Sequence, residues 1–524
     1  MRGLAKYLIP SFAEILFVAL FLTLALSAGP WMLMDCDTGY HIVAGDQMIE
    51  ARSIPTHDIF SYRAPPPRWI AFEWLSQVIM AATHRLGGLS GVVALFAFLL
   101  ALAFYTLFKT VRLSGGDLLV AITVVLLAVA TSALHWLARP HVFSLLLFVF
   151  WLYLLERRRL RGAGALWPLP LTMLIWTNLH GAFLVGLALL GVHFAGQLWR
   201  AWPGRGADSM PARREARTLG LVTLACLAAA LCNPNGYLNL VHPFRLLSSR
   251  FIMDHIGEFL SPDFHDAWTL PFKATLLLLL FLFMLTPRRA QLEEILLVLV
   301  FANLALSSQR HIPLFAIISA PVLARQLDAL VAETRVGVLA RLRARSLAYA
   351  ELDGAGRGWP WIAVAALVVA VMVQRGVVDY EFDARRKPVA AARFLLSEPI
   401  PGRMFNEYEF GDYIIYSAFP RYRVFIDGRN DMYGEAAMKE YYQVKDLEPG
   451  WQQVLDRHQV SWVIFTARSP LSELLPARDD WKLIYGDKVA NIFLRDTPEN
   501  DALIEKYRGT RPAPQIDEAG SGTD

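Results

Sequence analysis

Two carboxylates at the end of the first apolar segment are the residues best suited to chemistry. Asp35 and Asp37 flank Cys36 and follow a stretch that predicts a membrane helix. A helix C-terminus carries partial negative charge, so carboxylates there need a cation, a metal ion or a proton to offset them. Ionisable groups at a membrane boundary are also costly enough to suggest function. The alternative is that Asp37 caps a helix starting at Thr38, with His41 four residues on and sharing its face.

Arginine, histidine and amide side chains recur at the ends of later apolar segments. Arg139 precedes Pro140-His141, and Arg310 precedes His311. A guanidinium offers several fixed donors and suits phosphate, although the same pattern fits arginines that snorkel to lipid headgroups. Asn178 and His180 lie between two closely spaced apolar segments. They predict a polar contact with substrate, or a hydrogen-bonded interhelical pair.

Two further groups have competing interpretations. Asp254, His255 and Glu258 fall at helical spacing and could bind a divalent ion, but such a trio is more often a solvated face. Phe425–Arg429 places Asp427 and Arg429 just beyond a predicted strand, where open α/β sheets bind ligands. A turn closed by a salt bridge explains that pattern nearly as well.

The elements that position these residues are mostly membrane helices. Hydrophobic residues make up 55% of the 524 residues and charged residues 18%, with a mean hydropathy of +0.38. Such values predict a polytopic membrane protein. A span needs roughly 20 apolar residues, which gives about eleven candidates. The candidates are Ser11–Trp31, Gly91–Thr110, Leu118–Leu137, Val142–Leu155, Leu166–Thr177, Ala182–Leu198, Leu219–Leu231, Phe272–Thr286, Ile295–Leu306, Ile312–Leu323 and Trp359–Val373.

The charges of the connecting segments predict the orientation. Basic clusters fall on one side of the predicted membrane if the N-terminus is cytoplasmic, as the positive-inside rule requires. The charge pattern therefore predicts a multi-pass membrane protein whose N-terminus is cytoplasmic and whose C-terminus is extracytoplasmic. The clusters are Arg2/Lys6, Lys109/Arg112, Arg157–Arg161, Arg213–Arg217, Arg288–Arg289 and Arg341–Arg345.

The chain divides into three parts by composition. Residues 1–375 form the membrane domain, with residues 35–75 as its first external loop. Residues 376–500 predict an extracytoplasmic α/β domain, and residues 501–524 a disordered tail. Within the α/β domain, Tyr413–Tyr416, Arg423–Ile426 and Trp462–Phe465 predict strands, and Trp481–Tyr485 with Asn491–Arg495 predict a hairpin. Glu435–Gln443 and Trp451–His458 predict helices.

These features together resemble the GT-C superfamily of polytopic glycosyltransferases. The resemblance rests on Asp35-Cys36-Asp37 at the mouth of the first external loop, the many spans and the external C-terminal domain. It covers most of the chain. A bacterial subgroup shows further similarities, here His41 and Gly45, Ile54–Tyr62, Glu73-Trp74-Leu75, Asn178–Gly181, Asn233–Gly236 and Phe425–Arg429. The Trp-Trp-Asp signature of oligosaccharyltransferases is missing, which argues against en bloc glycan transfer to protein.

The resemblance implies sugar transfer from a polyprenyl-phosphate carrier to a lipid, glycan or protein acceptor outside the cytoplasm. Asp35 or Asp37 would act as general base, or would hold a divalent metal such as Mg or Mn. Arg139, Arg310 and His311 would neutralise the departing lipid phosphate. His41, His180 and Asn178 would orient donor or acceptor. Membrane lipids are the other expected partners, and no nucleic acid is expected.

Two other classes of protein compete with this interpretation. A lipid or glycan transporter or flippase would place ionisable or helix-breaking residues near the bilayer midplane. The chain keeps its charges at the ends of its apolar segments, with His193 as the main polar exception. A non-catalytic membrane scaffold would instead present the external α/β domain to a partner, with Asp35, Arg139 and Arg310 dispersed over the fold.

Overall fold

The computed structural model describes residues 7–35, 37–162, 164–202, 209–286, 288–333, 337–355 and 358–511. The chain forms two compact units. The first, here called the helical unit, comprises the chain up to Met32 together with Phe72–Ser76 and Thr83–Tyr380. The second, here called the sheet unit, comprises Leu33–Ala71, Gln77–Ala82 and the chain from Glu381 onward. The first loop of the sequence thus belongs to the same unit as the C-terminal part of the chain.

Most of the described chain is helical, and a four-stranded sheet lies in its C-terminal part. The helices up to residue 374 are α1 (Phe12–Ser27), α2 (Gly29–Met32), α3 (Asp37–Ala51), α4 (Trp74–Leu113), α5 (Leu118–Ser132), α6 (His141–Arg161), α7 (Pro168–Leu179), α8 (Phe183–Arg200), α9 (Ser209–Ala230), α10 (Leu238–Ser248), α11 (Arg250–His255), α12 (Leu270–Leu285), α13 (Leu292–Ser307), α14 (Ile312–Glu333), α15 (Gly337–Ala355) and α16 (Trp359–Gln374). The later elements are α17 (Val389–Ser397), β1 (Arg403–Asn406), α18 (Tyr408–Ala418), α19 (Asn430–Lys445), α20 (Trp451–Arg457), β2 (Val460–Thr466), α21 (Pro470–Leu474), β3 (Trp481–Gly486), β4 (Ala490–Arg495) and α22 (Asp501–Lys506).

The apolar segments of the sequence are helical in the structure. Five helical stretches of the described chain are long and apolar enough to cross a membrane, and α1 and α16 are shorter apolar helices. The count of about eleven spans stays a prediction. The five stretches are Trp74–Leu113, Leu118–His135, Phe183–Arg200, Ala267–Leu285 and Gln309–Ala332.

Helix α4 is two helices joined at a kink. Gly87 and Gly88 have non-helical backbone angles, and Gly88 adopts a φ of +58° with ψ of −157°. Only glycine adopts that conformation readily, because a Cβ would clash with the backbone. The kink separates the amphipathic start of α4, near Trp74, from its apolar second half.

A buried ion network holds one end of the helical unit together. Arg325 of α14 lies 3.0 Å from Glu156 of α6 and 2.7 Å from Glu294 of α13. Arg159 bonds the same Glu156 at 2.7 Å, and all four side chains are at most 6% exposed. Buried charges are tolerated only when paired in this way, so removing one partner would destabilise three helices at once.

The sheet unit is built around the sheet β1-β2-β4-β3. β1 pairs with β2 in parallel, and β4 pairs antiparallel with both β2 and β3. The sequence of β2 is β-branched and aromatic, and its residues are almost all buried, as expected of a central strand covered on both faces. Asp487 closes the β3–β4 hairpin by accepting hydrogen bonds from the backbone N–H groups of Val489 and Ala490, both at 2.7 Å.

Two predicted strands are wrong. Tyr413–Tyr416 lies inside helix α18, which packs against α3 and buries Phe410, Tyr413 and Ile414 at helical spacing. Arg423–Ile426 forms a single bridge, from Val424 to Ser61, instead of a strand. The reason is that the side chain of Asn406, and not a strand, accepts the Phe425 N–H. The predicted strand at Trp462–Phe465, the hairpin and both helices are present.

The end of the chain is partly described. Residues Asp501–Lys506 form α22, inside the stretch for which the sequence predicts disorder. Residues 512–524 of that stretch lie outside the described residues.

Candidate active site

The electrostatic setting of Asp35 and Asp37 differs from the one expected from the sequence. Asp37 is the first residue of α3, and an Asp35 carboxylate oxygen accepts the Asp37 backbone N–H at 3.0 Å. Both carboxylates therefore lie at a helix N-terminus, where the partial positive charge of the helix stabilises anions. The expectation of misplaced charges at a helix C-terminus is wrong. Asp35 orders the start of α3, and the Asp37 side chain extends toward Gly428 of the same unit.

The Asp37 carboxylate packs against the backbone of Gly428. A Cβ added to Gly428 would collide with Oδ1 of Asp37 and would lie 3.0 Å from Oδ2 of Asp412. The Gly428 N–H donates to both Asp412 oxygens, at 3.1 and 3.2 Å. Two carboxylates from distant parts of the chain thus flank one glycine, and only a residue without a side chain fits between them.

Burial and neighbouring charges shift the titration of Asp412. Burial, followed by the negative charges of Asp37 and Asp427, raises its pKa well above the usual value for aspartate, despite the Gly428 hydrogen bond. The nearby phenol of Tyr408 lies 3.4 Å from the Gly428 carbonyl oxygen. Burial and the charges of Asp37 and Asp412 also raise the Tyr408 pKa. Both pKa shifts therefore favour the protonated form of the group beside Asp37.

A buried salt bridge fixes the position of Gly428. Arg429 is 2% exposed and binds Asp427 at 2.6 Å and Asp58 of the first loop at 2.8 Å. Asp58 also accepts the backbone N–H groups of Phe60 and Ser61, both at 3.0 Å. Burial raises the Asp58 pKa, but Arg429 and these bonds outweigh it and lower the pKa below its ordinary value. The salt-bridged turn is thus the correct interpretation of this motif, and Arg429 is a structural residue.

His41 lies in the core of the sheet unit. It is 1% exposed, its Nδ1 lies 3.1 Å from Nε2 of Gln77, and its ring packs on Tyr40 with centroids 4.1 Å apart. Its part in orienting a substrate stays a prediction, and any such effect would act through α3, the helix that carries Asp37.

The helical unit brings both predicted arginines to one acidic partner. Arg139 bonds Glu258 at 3.3 Å, and the guanidinium of Arg310 stacks 4.8 Å from the ring centroid of Phe259. Partial burial raises the Glu258 pKa, but the charges of Arg139 and Arg310 outweigh it and lower the pKa below its ordinary value. His135 lies 3.7 Å from the same carboxylate. Arg139 is thus paired with this carboxylate, whereas Arg310 influences it electrostatically and stacks on Phe259, so both guanidinium groups lie in the surroundings of Glu258.

His180 and Asn178 connect α7 and the residue that follows it to Glu73 and Trp74 at the start of α4, and His180 also contacts Ser144 of α6. His180 Nε2 lies 3.4 Å from Glu73, and its Nδ1 lies 2.9 Å from the hydroxyl of Ser144. Burial and the charges of Arg310 and Arg139 lower its pKa to about 3, so the imidazole is neutral near pH 7. Asn178 accepts the Trp74 indole N–H at 2.7 Å and donates to two backbone carbonyls. Its amide is occupied within the protein, as expected of an interhelical tie.

His311 follows Arg310 at the start of α14. Its Nδ1 is buried and has no hydrogen-bond partner among the described residues. A buried nitrogen of this kind is uncommon and is usually explained by water, an ion or a ligand group. His311 therefore keeps its predicted place beside the arginines.

Three residues of these clusters are not predicted from the sequence as site residues. Asp412 directly precedes the predicted strand Tyr413–Tyr416, Glu258 belongs to a trio that fits a solvated face, and Gly428 is one residue of a turn motif. The only available signal is that Gly428 lies between two charged residues in Asp427–Arg429. In the trio, Asp254 instead pairs with Arg250.

The metal expectation meets one structural test. Within the part of the chain that the structure describes, no group of three or more His, Cys, Asp or Glu side chains is arranged to hold a metal ion. A divalent ion on Asp35 and Asp37 would need oxygen ligands from water or substrate to complete its shell.

Comparison with solved structures identifies the fold. The archaeal oligosaccharyltransferase AglB from Archaeoglobus fulgidus, solved with an inhibitory peptide and a dolichol-phosphate, has a TM-score of 0.58 at 12% identity, over 87% of this chain and 69% of AglB. A second structure of that enzyme, tethered to an acceptor peptide, has a TM-score of 0.54 at 12% identity, over 93% and 74%. ArnT from Cupriavidus metallidurans, in the apo state, has a TM-score of 0.50 at 15% identity, over 96% and 99%.

The first two structures are of oligosaccharyltransferases, and one of them was solved with a dolichol-phosphate. The chain shares the fold of these structures, and the prediction of a helical, GT-C-like membrane protein with a C-terminal α/β part is confirmed at the level of the fold. No family model matches the sequence, and no curated protein matches it. At these identities the likeness defines the fold.

Proposed function

We propose that this protein is a membrane glycosyltransferase. It moves a sugar from a polyprenyl-phosphate carrier to a hydroxyl group of a lipid, glycan or protein acceptor, on the extracytoplasmic face of the membrane. The GT-C fold supports the reaction class. The observation that carries the proposal is the placement of Asp37 at a helix N-terminus, against the backbone of Gly428 and close to the buried carboxyl group of Asp412.

Asp37 is the proposed general base. A positioned carboxylate takes the proton of the acceptor hydroxyl as that oxygen attacks the anomeric carbon of the donor sugar. The bond from that carbon to the carrier phosphate breaks, and the phosphate leaves with its electron pair. Asp35 has a supporting role, because its carboxylate already accepts the Asp37 N–H and orders the helix start.

Arg139 and Arg310 are the proposed phosphate-binding residues. Charge grows on the departing phosphate in the transition state, and preorganised donors stabilise it at little cost. Glu258 fixes Arg139 before substrate binds, and neutral His180 adds no positive charge that would hold the product. His311 supplies a buried ring nitrogen beside Arg310.

The acidic pair has a second possible role in the same reaction, which is to bind a divalent metal ion. In that role Asp35 and Asp37 hold Mg or Mn, and the ion positions the acceptor hydroxyl.

The test compares a deletion strain with strains complemented by single variants. Mass spectrometry of lipid-linked sugars and surface glycans should show an accumulated donor and a sugar-deficient acceptor in the deletion strain. Wild type should restore the glycan, whereas Asp37→Asn should not, because loss of a general base costs about 10²–10⁴ in rate. Glu50→Gln, on the exposed end of the same helix, is the matched control and should restore it. Full restoration by membrane-inserted Asp37→Asn would rule out the base.

Purified protein separates the two roles by kinetics. In proteoliposomes, Asp37→Asn should lower kcat with little change in the KM for donor. Arg139→Gln and Arg310→Gln should raise that KM and lower kcat by about 10²-fold, as loss of one oxyanion donor does. Unchanged kcat and KM for donor in both arginine variants would refute the assignment of Arg139 and Arg310 as phosphate-binding residues. The assignment of Asp37 as base would then depend only on the kinetics of Asp37→Asn.

A further inference from the structure

An apolar groove runs between α8 and α9 of the helical unit. It has a volume of about 620 Å³ and is lined mostly by apolar residues, among them Phe194, Leu198, Leu221 and Leu224. Three of these leucines are exposed, by 46%, 58% and 63%. The volume lies within the range of about 300–1,000 Å³ that is usual for ligand pockets.

Glycines open this groove. A Cβ at Gly191 of α8 would meet nothing within 4 Å, and one at Gly220 of α9 would lie in ordinary contact with Phe194, at 3.5 Å. The helices therefore lack side chains at these places without being drawn together. The groove is a space of definite shape along the pair, and a larger residue would fill it.

Two arginines lie at one end of the groove. Arg213 and Arg217 are one turn apart in the first part of α9, line the groove and are exposed. Ala201, which follows the end of α8, lines the same end. The nearby Glu215 binds Arg158 at 2.7 Å and is committed to that pair. A phosphate accepts hydrogen bonds from such a pair of guanidinium groups.

The length of the groove matches one leaflet of a bilayer. From Gly191 to Ala201 it runs about 15 Å along α8, at 1.5 Å per residue. The hydrocarbon core of a bilayer is about 30 Å thick. A chain that starts at the arginines would thus reach the middle of the membrane, which fits one acyl chain below a headgroup and is too short for a transmembrane helix of a partner protein.

We propose that this groove is a binding site for one anionic glycerophospholipid. Arg213 and Arg217 bind the headgroup phosphate, and one acyl chain lies between α8 and α9 over Gly191 and Gly220. No residue that lines the groove belongs to the proposed base or phosphate-binding residues, so the proposal stands whether or not the protein transfers sugars.

Native mass spectrometry of the full-length, delipidated protein tests the site with two probes, phosphatidylglycerol and phosphatidylcholine. Wild type should retain one phosphatidylglycerol in preference to phosphatidylcholine. An arginine near a membrane surface contributes about a fivefold preference for anionic lipid. Arg213→Gln combined with Arg217→Gln should therefore weaken phosphatidylglycerol binding about twentyfold. Arg214→Gln, on the same helix but not on the groove, is the matched control and should bind as wild type does.

A separate variant tests whether an acyl chain occupies the groove. Gly191→Leu fills the groove in open space and keeps both arginines, so it should lose the bound phosphatidylglycerol while its thermal midpoint stays at the wild-type value. Equal retention of the two lipids by wild type would overturn the proposal. So would an equal loss in Arg214→Gln and the double arginine variant, or wild-type binding by Gly191→Leu.

Discussion

Replacing Gly428 with alanine perturbs Asp37 without touching its chemistry. The added Cβ would collide with Oδ1 of Asp37 and would lie 3.0 Å from Asp412. To reach an ordinary van der Waals distance of about 3.5 Å, the Asp37 carboxylate must retreat by about 1 Å. A misplacement of that size at a catalytic group costs about 10²-fold in rate. This corresponds to about 2.7 kcal/mol in the activation barrier.

The assay is single-turnover transfer from a polyprenyl-phosphate sugar in proteoliposomes. Gly428→Ala should lower the rate about 10²-fold, while the KM for donor stays within about threefold because the arginines of the helical unit are unchanged. Gly337→Ala is the matched control, since nothing lies within 4 Å of its added Cβ. Overpacking also destabilises by about 1–3 kcal/mol, so thermal melting must show that the variant is folded at the assay temperature.

A double variant decides whether the loss runs through Asp37. If it does, Gly428→Ala should add little to the loss in an Asp37→Asn background, because both changes disable the same group. Fully additive losses, or a folded Gly428→Ala variant with wild-type turnover, would refute the assignment of Asp37 as base.

Three further predictions follow from the structure. Asp58→Asn leaves buried Arg429 with one carboxylate fewer and should cost about 3 kcal/mol at neutral pH. The Asp58 pKa is lowered in the folded state, so the stability difference between wild type and Asp58→Asn should disappear as the pH falls through the folded-state pKa of Asp58, below 3.8. Thermal melts over this pH range measure the difference. Asp456→Asn, which removes an exposed ion pair with Arg495, is the control and should change stability little. Glu258→Gln frees positive charge beside Arg139 and should tighten donor binding about fivefold in a titration, with weaker binding counting against the phosphate site. EDTA should leave transfer intact if Asp37 is a direct base, and a loss restored by Mg or Mn would move the role to a metal.

The sequence predicts the helices far better than the site. Long apolar segments such as Leu118–Leu137 have few alternatives to a helix, and β2 is recognisable from its run of β-branched and aromatic residues. Tyr413–Tyr416 has the same composition over only four residues, and the choice of helix comes from packing against α3. Short segments of this kind are decided by tertiary contacts rather than by propensity.

The sequence predicts some residues of the candidate site and misses others, again because tertiary contacts are not visible in a local pattern. Asp37, Arg139 and Arg310 stand out because charged residues at membrane boundaries are unusual. Asp412 and Glu258 do not, because a carboxylate in a polar segment is ordinary until its neighbours are known. The meaning of Gly428 depends on two carboxylates of distant segments, and no local pattern reveals such a contact.

The composite sheet unit has a consequence for how the protein is made. Arg63 of the first loop binds Glu440, 377 residues further along the chain, and Asp58 binds Arg429 in the same unit. A ribosome adds about 5–20 residues per second, so the loop waits for tens of seconds before its partners are synthesised. During that time Gly428 and Asp412 have not been synthesised, so Asp37 lacks the two residues that lie against it in the folded protein. The proposed general base therefore lacks its surroundings until nearly the whole chain has been synthesised, and a product that stops before residue 381 lacks both Asp412 and Gly428.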